Sequence, residues 1–115
     1  MFDDWFQRMR GEPTEPLPER APGPLRRPDG STFDLALYKF DSCPYCRRVQ
    51  RTIDALHIEG IEMRDILMDR EHRQDLVEAT GRGTVPCLVI DGRYMHESAD
   101  IVRWLRDRAK EEPVA

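Results

Sequence analysis

The sequence predicts an α/β domain in which a four-stranded mixed sheet carries helices on both faces. Three patterns between residues 33 and 110 support this prediction. The first is a strand, an amphipathic helix and a second strand in succession, which implies a parallel pair with a right-handed crossover. The second is a hairpin signal at Asp91-Gly92, and the third is a closing amphipathic helix. The predicted order of elements is therefore βαβαββα.

The first strand, helix and strand begin at Phe33. Residues 33 to 40 form an apolar run of strand length, rich in residues that suit a pleated surface. Residues 61 to 67 alternate in polarity and predict the next strand. Between the two runs lies an amphipathic helix that ends near Gly60, because apolar side chains recur there at steps of three and four: Cys46, Val49, Ile53 and Leu56.

The second half of the domain begins with a charged helix over residues 69 to 79, closed by Gly81. Residues 87 to 90 and 93 to 95 are two short apolar runs on either side of the Asp-Gly turn, and they predict a hairpin. Ser98 then opens the last helix, whose inner face carries Ile101, Val102 and Leu105.

Residues 1 to 32 are predicted to lie outside the domain, which is expected to span residues 33 to 112. Six of the nine prolines fall between residues 11 and 30, and such a segment buries too little surface to offset its ordering entropy. It is expected to be a largely disordered linker, so a chain beginning at Pro28 should keep its melting temperature within ~3 °C. A short amphipathic piece precedes the linker and is expected to fray or pack on its own domain, with a partner or a membrane surface as the alternative: Phe2, Trp5, Phe6 and Met9.

Composition narrows the class of protein. Charged residues make up 35% of the chain and the net charge is −4. The composition therefore lacks the excess of basic residues that is typical of nucleic-acid-binding proteins. No apolar run approaches the ~20 residues that span a bilayer, and the start is acidic where a secretory signal would be basic. We expect a soluble, monomeric, cytoplasmic protein without a transmembrane segment. In such a reducing compartment a close pair of cysteines is more often catalytic or metal-binding than structural.

The cysteine pair lies where a strand meets a helix. Ser42 is a candidate helix cap and Pro44 suits the first helical position, so Cys43 should face the amides of a helix N-terminus. That end carries about half a positive charge, and Arg47 and Arg48 follow within one turn. All of these features favour the thiolate, which is the nucleophile in disulfide exchange.

Cys46 lies three positions further on, on the same side of the first turn, and is expected to be the buried, resolving thiol. Half of a zinc site is the alternative, but no second close pair of cysteine or histidine residues is present. The third cysteine, Cys87, has apolar neighbours and is expected to be a small core residue instead of a further redox partner.

C-P-Y-C after a strand, Thr84-Val85-Pro86 before a hairpin and a final helix together resemble the glutaredoxin family of the thioredoxin fold. The resemblance covers about residues 33 to 110. It implies a thioredoxin-like fold and a thiol–disulfide oxidoreductase that uses glutathione as a co-substrate, with no metal.

The resemblance also implies a role for each matching position. Cys43 matches the family's nucleophile and Cys46 its resolving cysteine. Tyr45 matches the side chain that lines the glutathione groove. Val85 matches the residue whose backbone pairs with the cysteinyl part of glutathione, as an added strand would. Pro86 matches the family's cis-proline.

The segment after the hairpin departs from the glutaredoxin pattern of two glycines and an acidic pair. It has His96 and Glu97 in place of the glycines, and Asp100 alone keeps the second acid. Glu97-Ser98 resembles instead the N-terminal domain of glutathione transferases, where such a pair binds the γ-glutamyl group. A helix N-terminus with the Ser98 hydroxyl is suited to a carboxylate, although a plain capping serine is the alternative.

A second departure concerns the lysine that many glutaredoxins carry three residues before the nucleophile. Phe40 occupies that position here. Lys39 is one residue earlier, and it is expected on the opposite face because side chains alternate along a strand. Arg82 is a candidate substitute, since the family often has a basic residue near that loop.

Three functions follow from these patterns. The leading hypothesis is a dithiol glutaredoxin that reduces protein disulfides or glutathionylated proteins. The second is a glutathione-binding module, similar to a glutathione transferase N-terminal domain, without redox turnover. The third is a glutathione-ligated iron–sulfur carrier with Cys43 as a ligand, which the proline after the nucleophile disfavours in the resembling family.

Overall fold

The computed structural model describes residues 16 to 112, so the predicted helical piece at residues 2 to 9 lies outside the described residues. Among the described residues, no helix is both long enough and apolar enough to cross a membrane. The elements follow the predicted βαβαββα order, with these bounds: β1 Leu35–Lys39, α1 Pro44–Ala55, β2 Glu62–Asp65, α2 Arg70–Thr80, β3 Cys87–Ile90, β4 Arg93–Met95 and α3 Ser98–Lys110.

The sheet has the strand order β2-β1-β3-β4. β1 runs parallel to β2 and antiparallel to β3, with Tyr38 opposite Cys87. β3 and β4 form the predicted hairpin, in which Asp91 has a φ of 49° and Gly92 a φ of 84°. Two positive φ angles in a two-residue loop match the twist of the flanking strands, which explains why an Asp-Gly pair occupies this turn. The predicted mixed four-stranded sheet is confirmed.

Side chains of β1 alternate between two apolar clusters, one on each face of the sheet. Leu35 and Leu37 pack with the inner residues of α1 and α3. Ala36 and Tyr38 face the other way and pack with Leu76 of α2. The helices therefore cover both faces, as predicted. The larger cluster, between the sheet, α1 and α3, contains Val49, Ile53, Leu56, Leu88, Ile101, Val102, Leu105 and Ala109.

The proline-rich segment before β1 differs from its prediction. Leu25 is 1% exposed and belongs to the larger core cluster. The backbone of Gly23 pairs with the turn after α1, donating to the carbonyl of His57 at 3.1 Å and accepting from the N–H of Glu59 at 2.9 Å. The expectation of a disordered linker is therefore wrong for residues 16 to 32. One buried leucine and a strand-like bridge order this stretch without any regular periodicity in its sequence.

Arg20 connects the same segment to the residues that follow the C-terminal ends of α1 and α3. Its guanidinium, with only 8% of the side chain exposed, forms a two-pronged ion pair with the Glu112 carboxylate at 2.7 and 3.0 Å. It also donates to the carbonyl of Leu56 at 2.8 Å, where α1 ends. Burial opposes ionisation of Glu112, but the hydrogen bonds from Arg20 and from the N–H of Arg26 hold the pKa of this carboxyl below its usual value.

Candidate functional site

Cys43 is itself the N-cap of α1, so the prediction of Ser42 as the cap is wrong. Its extended backbone precedes Pro44 at the first helical position, and its Sγ accepts a hydrogen bond from the N–H of Cys46 at 3.4 Å. The sulfur thus takes the place that a serine or aspartate oxygen usually fills at a helix start. The Cys43 sulfur therefore lies at the N–H groups and the positive dipole end of α1, the part of a helix that attracts negative charge.

The other two thiols lie in the interior and favour the protonated form. Burial raises the pKa of Cys46 to about 12, opposed by the N–H of Phe40 and reinforced by the neighbouring Cys43. Burial also raises the pKa of Cys87 to about 11, although the charge of Arg82 opposes it. All three cysteines are free thiols. Cys87 is fully buried in the smaller core cluster, which confirms its expected structural place.

Lys39, at the end of β1, is held by two carboxylates. Its ammonium group contacts Asp41 at 2.7 Å and Asp65 at 3.4 Å, and these contacts raise the pKa of the lysine despite its burial. The same charge reaches the Cys46 thiol and lowers its pKa slightly against the effect of burial. Lys39 does not line the pocket described below, so the expectation that it faces away from the site stays a prediction.

A pocket of about 770 Å³ opens beside the cysteine loop, between the start of α1, the loop before β3 and the start of α3. Within it the Val85–Pro86 peptide bond is cis, and the Tyr45 side chain is 59% exposed at the rim. Six of the predicted site residues meet here: Tyr45, Thr84, Val85, Pro86, Glu97 and Ser98. The pocket is also lined by Arg48, which the sequence indicated only as a positive charge near the cysteines, and by Ala99, which the sequence did not indicate.

Glu97 and Ser98 form the wall of this pocket at the start of α3. Glu97 is the N-cap, with a positive φ of 72° and no cap hydrogen bond from its side chain. Ser98 is already the first helical residue and is buried, and its hydroxyl oxygen accepts from Arg48. Ser98 is therefore not a capping serine, which removes the alternative reading of this pair.

Arg82 and Asp100 were predicted for the site but do not line the pocket. Arg82 is exposed on the loop before β3, where its backbone N–H donates to the Thr80 hydroxyl. Asp100 is exposed in the first turn of α3 and pairs with Arg103 at 3.5 Å. Burial and the charge of Arg82 lower the pKa of His96, next to the pocket wall, while Glu97 opposes this effect.

Within residues 16 to 112, no three or more histidine, cysteine, aspartate or glutamate side chains cluster in a way that could hold a metal ion. The chemistry that the described pocket offers comes from other groups. The lining supplies a polar wall with an arginine, a hydroxyl and a carboxylate. The two thiols, Cys43 and Cys46, are buried on either side of Tyr45 in the sequence and are not among the lining residues. Such an arrangement suits exchange between sulfur atoms carried by a polar, charged thiol compound.

Comparisons with known proteins agree with this geometry. Glutaredoxin 3 of Escherichia coli K12 is 24% identical over 70 residues, which cover 59% of this chain and 81% of that protein. A Drosophila mojavensis glutathione transferase homologue, solved with bound glutathione, is 25% identical with a TM-score of 0.58. The match covers 68% of this chain and 36% of that one, so this chain corresponds to about a third of the transferase.

A wheat glutaredoxin structure shares the fold, at 21% identity and a TM-score of 0.54 over 68% of this chain and 80% of that chain. The predicted thioredoxin-like fold is confirmed. The family model described as the glutathione S-transferase N-terminal domain matches residues 37–113, well over half of the sequence. The chain therefore belongs to the family of glutathione S-transferase N-terminal domains, within the thioredoxin-like fold that glutaredoxins share.

Proposed function

We propose that this protein is a glutathione-dependent thiol–disulfide oxidoreductase of the dithiol glutaredoxin type. One observation carries the proposal: the two thiols of the Cys43–Cys46 pair have opposite environments. Cys43 caps a helix N-terminus, whose N–H groups attract negative charge, whereas burial raises the pKa of Cys46 to about 12. A nucleophile and a protonated resolving thiol one helical turn apart are the two groups that dithiol exchange needs.

The reaction with a glutathionylated protein needs one thiol. The Cys43 thiolate attacks the glutathione sulfur, a Cys43–glutathione disulfide forms, and the protein leaves as a thiolate that takes up a proton. A second glutathione thiolate then attacks the glutathione sulfur of that mixed disulfide, which releases oxidised glutathione and restores the Cys43 thiolate. Two electrons pass from two glutathione molecules to one disulfide bond.

The reaction with a protein disulfide uses both thiols. Cys43 first forms a mixed disulfide with the substrate protein. Cys46 then loses its proton and attacks the Cys43 sulfur, so that a Cys43–Cys46 disulfide forms and the substrate leaves with both of its cysteines reduced. Two glutathione molecules reduce the intramolecular disulfide again. Burial keeps Cys46 protonated until the leaving thiolate provides a base for its proton.

The pocket supports glutathione as the co-substrate. The backbone of Val85 borders the pocket before the cis-proline and can pair with the cysteinyl part of glutathione as an added strand would. Glu97 and Ser98 are proposed to hold the γ-glutamyl end, and Tyr45 to flank the groove. Arg82 and Asp100 lie outside the lining, so we propose that they act on glutathione only through their charge.

A glutathione-binding module without turnover is the second candidate. The family match to the glutathione S-transferase N-terminal domain and the Glu97-Ser98 pair favour it. Such a module needs the pocket but not the thiols. The buried position of Cys46, directly behind a helix-capping Cys43, supports the oxidoreductase instead, because a binding module gains nothing from a second thiol there.

Steady-state turnover separates the two candidates. The substrate is the mixed disulfide of glutathione and 2-mercaptoethanol, with glutathione, glutathione reductase and NADPH to recycle the oxidised product. The oxidoreductase consumes NADPH in proportion to enzyme concentration, and Cys43→Ser removes that activity. A protein that binds glutathione in calorimetry yet adds nothing to the uncatalysed rate would be the binding module.

A further inference from the structure

The turn between β2 and α2 carries two consecutive apolar side chains that are exposed to water. Leu67 is 66% exposed and Met68 is 85% exposed. Both lie in the turn over residues 66 to 68, after β2 ends and before α2 begins. Tight turns ordinarily carry glycine, proline or small polar residues, so two large apolar side chains here are unusual. We call Leu67 and Met68 the apolar tip.

Hydrogen bonds hold the apolar tip in one backbone conformation. The Asp65 carboxylate accepts from the backbone N–H groups of Leu67 and Met68 at 2.9 and 3.0 Å. The Asp65 carbonyl accepts from the N–H of Asp69 at 3.1 Å, which closes the turn. Asp69 then caps α2 by accepting from the N–H of Glu71. Side chains on a fixed backbone lose less conformational entropy when they bind, so this turn is preorganised for contact with a partner.

The apolar tip lies at the same end of the sheet as the cysteine loop, because β1 and β2 are parallel and each of them leads into one of the two turns. The N–H of Ile66 donates to the carbonyl of Lys39 at 3.0 Å. The N–H of Cys43 donates to the carbonyl of Phe40 at 3.2 Å, which closes a four-residue turn. These short backbone steps place the Cα atoms of Leu67 and Cys43 within about 20 Å of each other.

Lys39 connects the cysteine loop to the start of this turn. Its ammonium group contacts the Asp41 carboxylate at 2.7 Å and the Asp65 carboxylate at 3.4 Å. Asp41 precedes Cys43 by two residues, and Asp65 precedes Leu67 by two residues. The cysteine loop and the apolar tip are therefore parts of one continuous surface.

The border of the apolar tip is acidic. Asp41, Asp69 and Glu71 are exposed there, and Arg70 is an exposed basic neighbour. Lys39 is already held between two carboxylates. Carboxylates thus outnumber the basic side chain that is open to solvent beside the tip, and a positively charged partner complements this border.

We propose that the apolar tip is a docking surface for protein substrates, which binds apolar side chains on a positively charged flank of the substrate's disulfide. This inference rests on the proposed function, since it concerns which disulfides reach Cys43. A disulfide in exchange with Cys43 lies at the cysteine loop, and an extended flank of six residues spans the ~20 Å from there to the tip. Methionine is unbranched and adapts to different partner side chains, which suits contact with varied sequences. None of residues 65 to 69 lines the glutathione pocket, so the tip should not affect small glutathione disulfides.

The test measures the reduction of three synthetic peptides by the full chain, with glutathione, glutathione reductase and NADPH as the source of the two electrons. Each peptide has one internal disulfide between six-residue flanks, which alternate leucine with lysine, serine with lysine, or leucine with glutamate. The wild type should reduce the leucine–lysine peptide with a kcat/KM about 5- to 30-fold above that of the serine–lysine peptide, because leucine side chains leave water at the tip. The leucine–glutamate peptide should fall about two- to fivefold below the leucine–lysine peptide.

The double variant Leu67→Ser, Met68→Ser should reduce the leucine–lysine and serine–lysine peptides with kcat/KM values within about twofold of each other. It should turn over the glutathione mixed disulfide of 2-mercaptoethanol at the wild-type rate. Tyr94→Ser is the matched control, because it removes an exposed large side chain from β4, the other edge strand of the sheet. Melting curves identify a double variant that has not folded. Met68→Ser then carries the test, with at least about threefold loss on the leucine–lysine peptide expected.

Several outcomes overturn the inference while the proposed function stands. One is a wild type that turns over the small disulfide but reduces the leucine–lysine and serine–lysine peptides equally, or reduces neither. Another is a double variant that keeps the preference for leucine. Equal losses on all peptides and on the small disulfide would mean that the turn only supports the cysteine loop structurally. Equal reduction of the leucine–glutamate and leucine–lysine peptides would overturn the assigned charge of the partner. A wild type without any turnover would instead contradict the proposed function itself, so the failures are distinguishable.

Discussion

Replacement of Leu25 by alanine tests whether the proline-rich segment belongs to the folded domain. Leu25 is 1% exposed and packs in the cluster between the sheet, α1 and α3. Deletion of a buried leucine side chain removes its transfer free energy and leaves a cavity, at a cost of about 2–5 kcal/mol. For a domain of this size, about 3 kcal/mol corresponds to a fall in melting temperature of roughly 10–20 °C. Urea unfolding followed by circular dichroism measures the free energy directly.

Leu67→Ala is the matched control, because Leu67 is 66% exposed and its truncation should change the unfolding free energy by less than about 0.5 kcal/mol. A chain beginning at Pro28 loses both Leu25 and the Arg20 contacts, so it should be destabilised at least as much as Leu25→Ala. Sequence composition predicted the opposite, a melting temperature within ~3 °C of that of the full chain. An unfolding free energy for Leu25→Ala within 1 kcal/mol of the wild type would show that the segment does not contribute to the core.

Three further predictions concern the pocket, the ion pair between Arg20 and Glu112, and the resolving thiol. The double variant Glu97→Ala, Ser98→Ala should weaken glutathione binding by about 1–3 kcal/mol in calorimetry. Its melting temperature should change little, since neither side chain caps α3. The Arg20 ion pair lowers the pKa of Glu112 in the folded protein, so its stabilisation is present above the unfolded pKa and is lost as pH falls through the folded value. Glu112→Gln should therefore flatten the acid side of the stability curve, below the ordinary carboxyl pKa of about 4.5, and an unchanged slope would contradict the assignment. Cys46 should resist iodoacetamide at pH 7 in the native protein because its pKa is about 12, and mass spectrometry after digestion would reveal a rapid reaction if this is wrong.

The regular elements could be predicted because each leaves a local pattern. The apolar run of β1, the steps of three and four along α1 and the Asp91-Gly92 turn predict the order of the elements and the handedness of the crossover. The helix start was displaced by one residue, from Ser42 to Cys43, because cap preferences rank serine highly and give no weight to a sulfur acceptor.

The parts that composition predicted wrongly depend on contacts that are remote in sequence. Leu25 stands among prolines with no periodic apolar neighbours, and it is buried where Gly23 pairs with Ile58, 35 residues further along the chain. The sequence contains a weak indication that Arg48 belongs to the pocket, because it follows Tyr45 by three residues and so lies on the same helix face. Its contact with Ser98, however, requires α1 to pack against α3, which no local pattern reveals.

The central claim, a division of labour between two thiols, is tested most directly by turnover of the two single serine variants with the glutathione mixed disulfide of 2-mercaptoethanol. Cys43→Ser should abolish the activity because it removes the thiolate at the start of α1. Cys46→Ser should retain it, since this route needs one protein thiol and external glutathione. The same Cys46→Ser variant should lose the reduction of a protein disulfide. Activity that survives Cys43→Ser, or that disappears equally in both variants, would contradict the account.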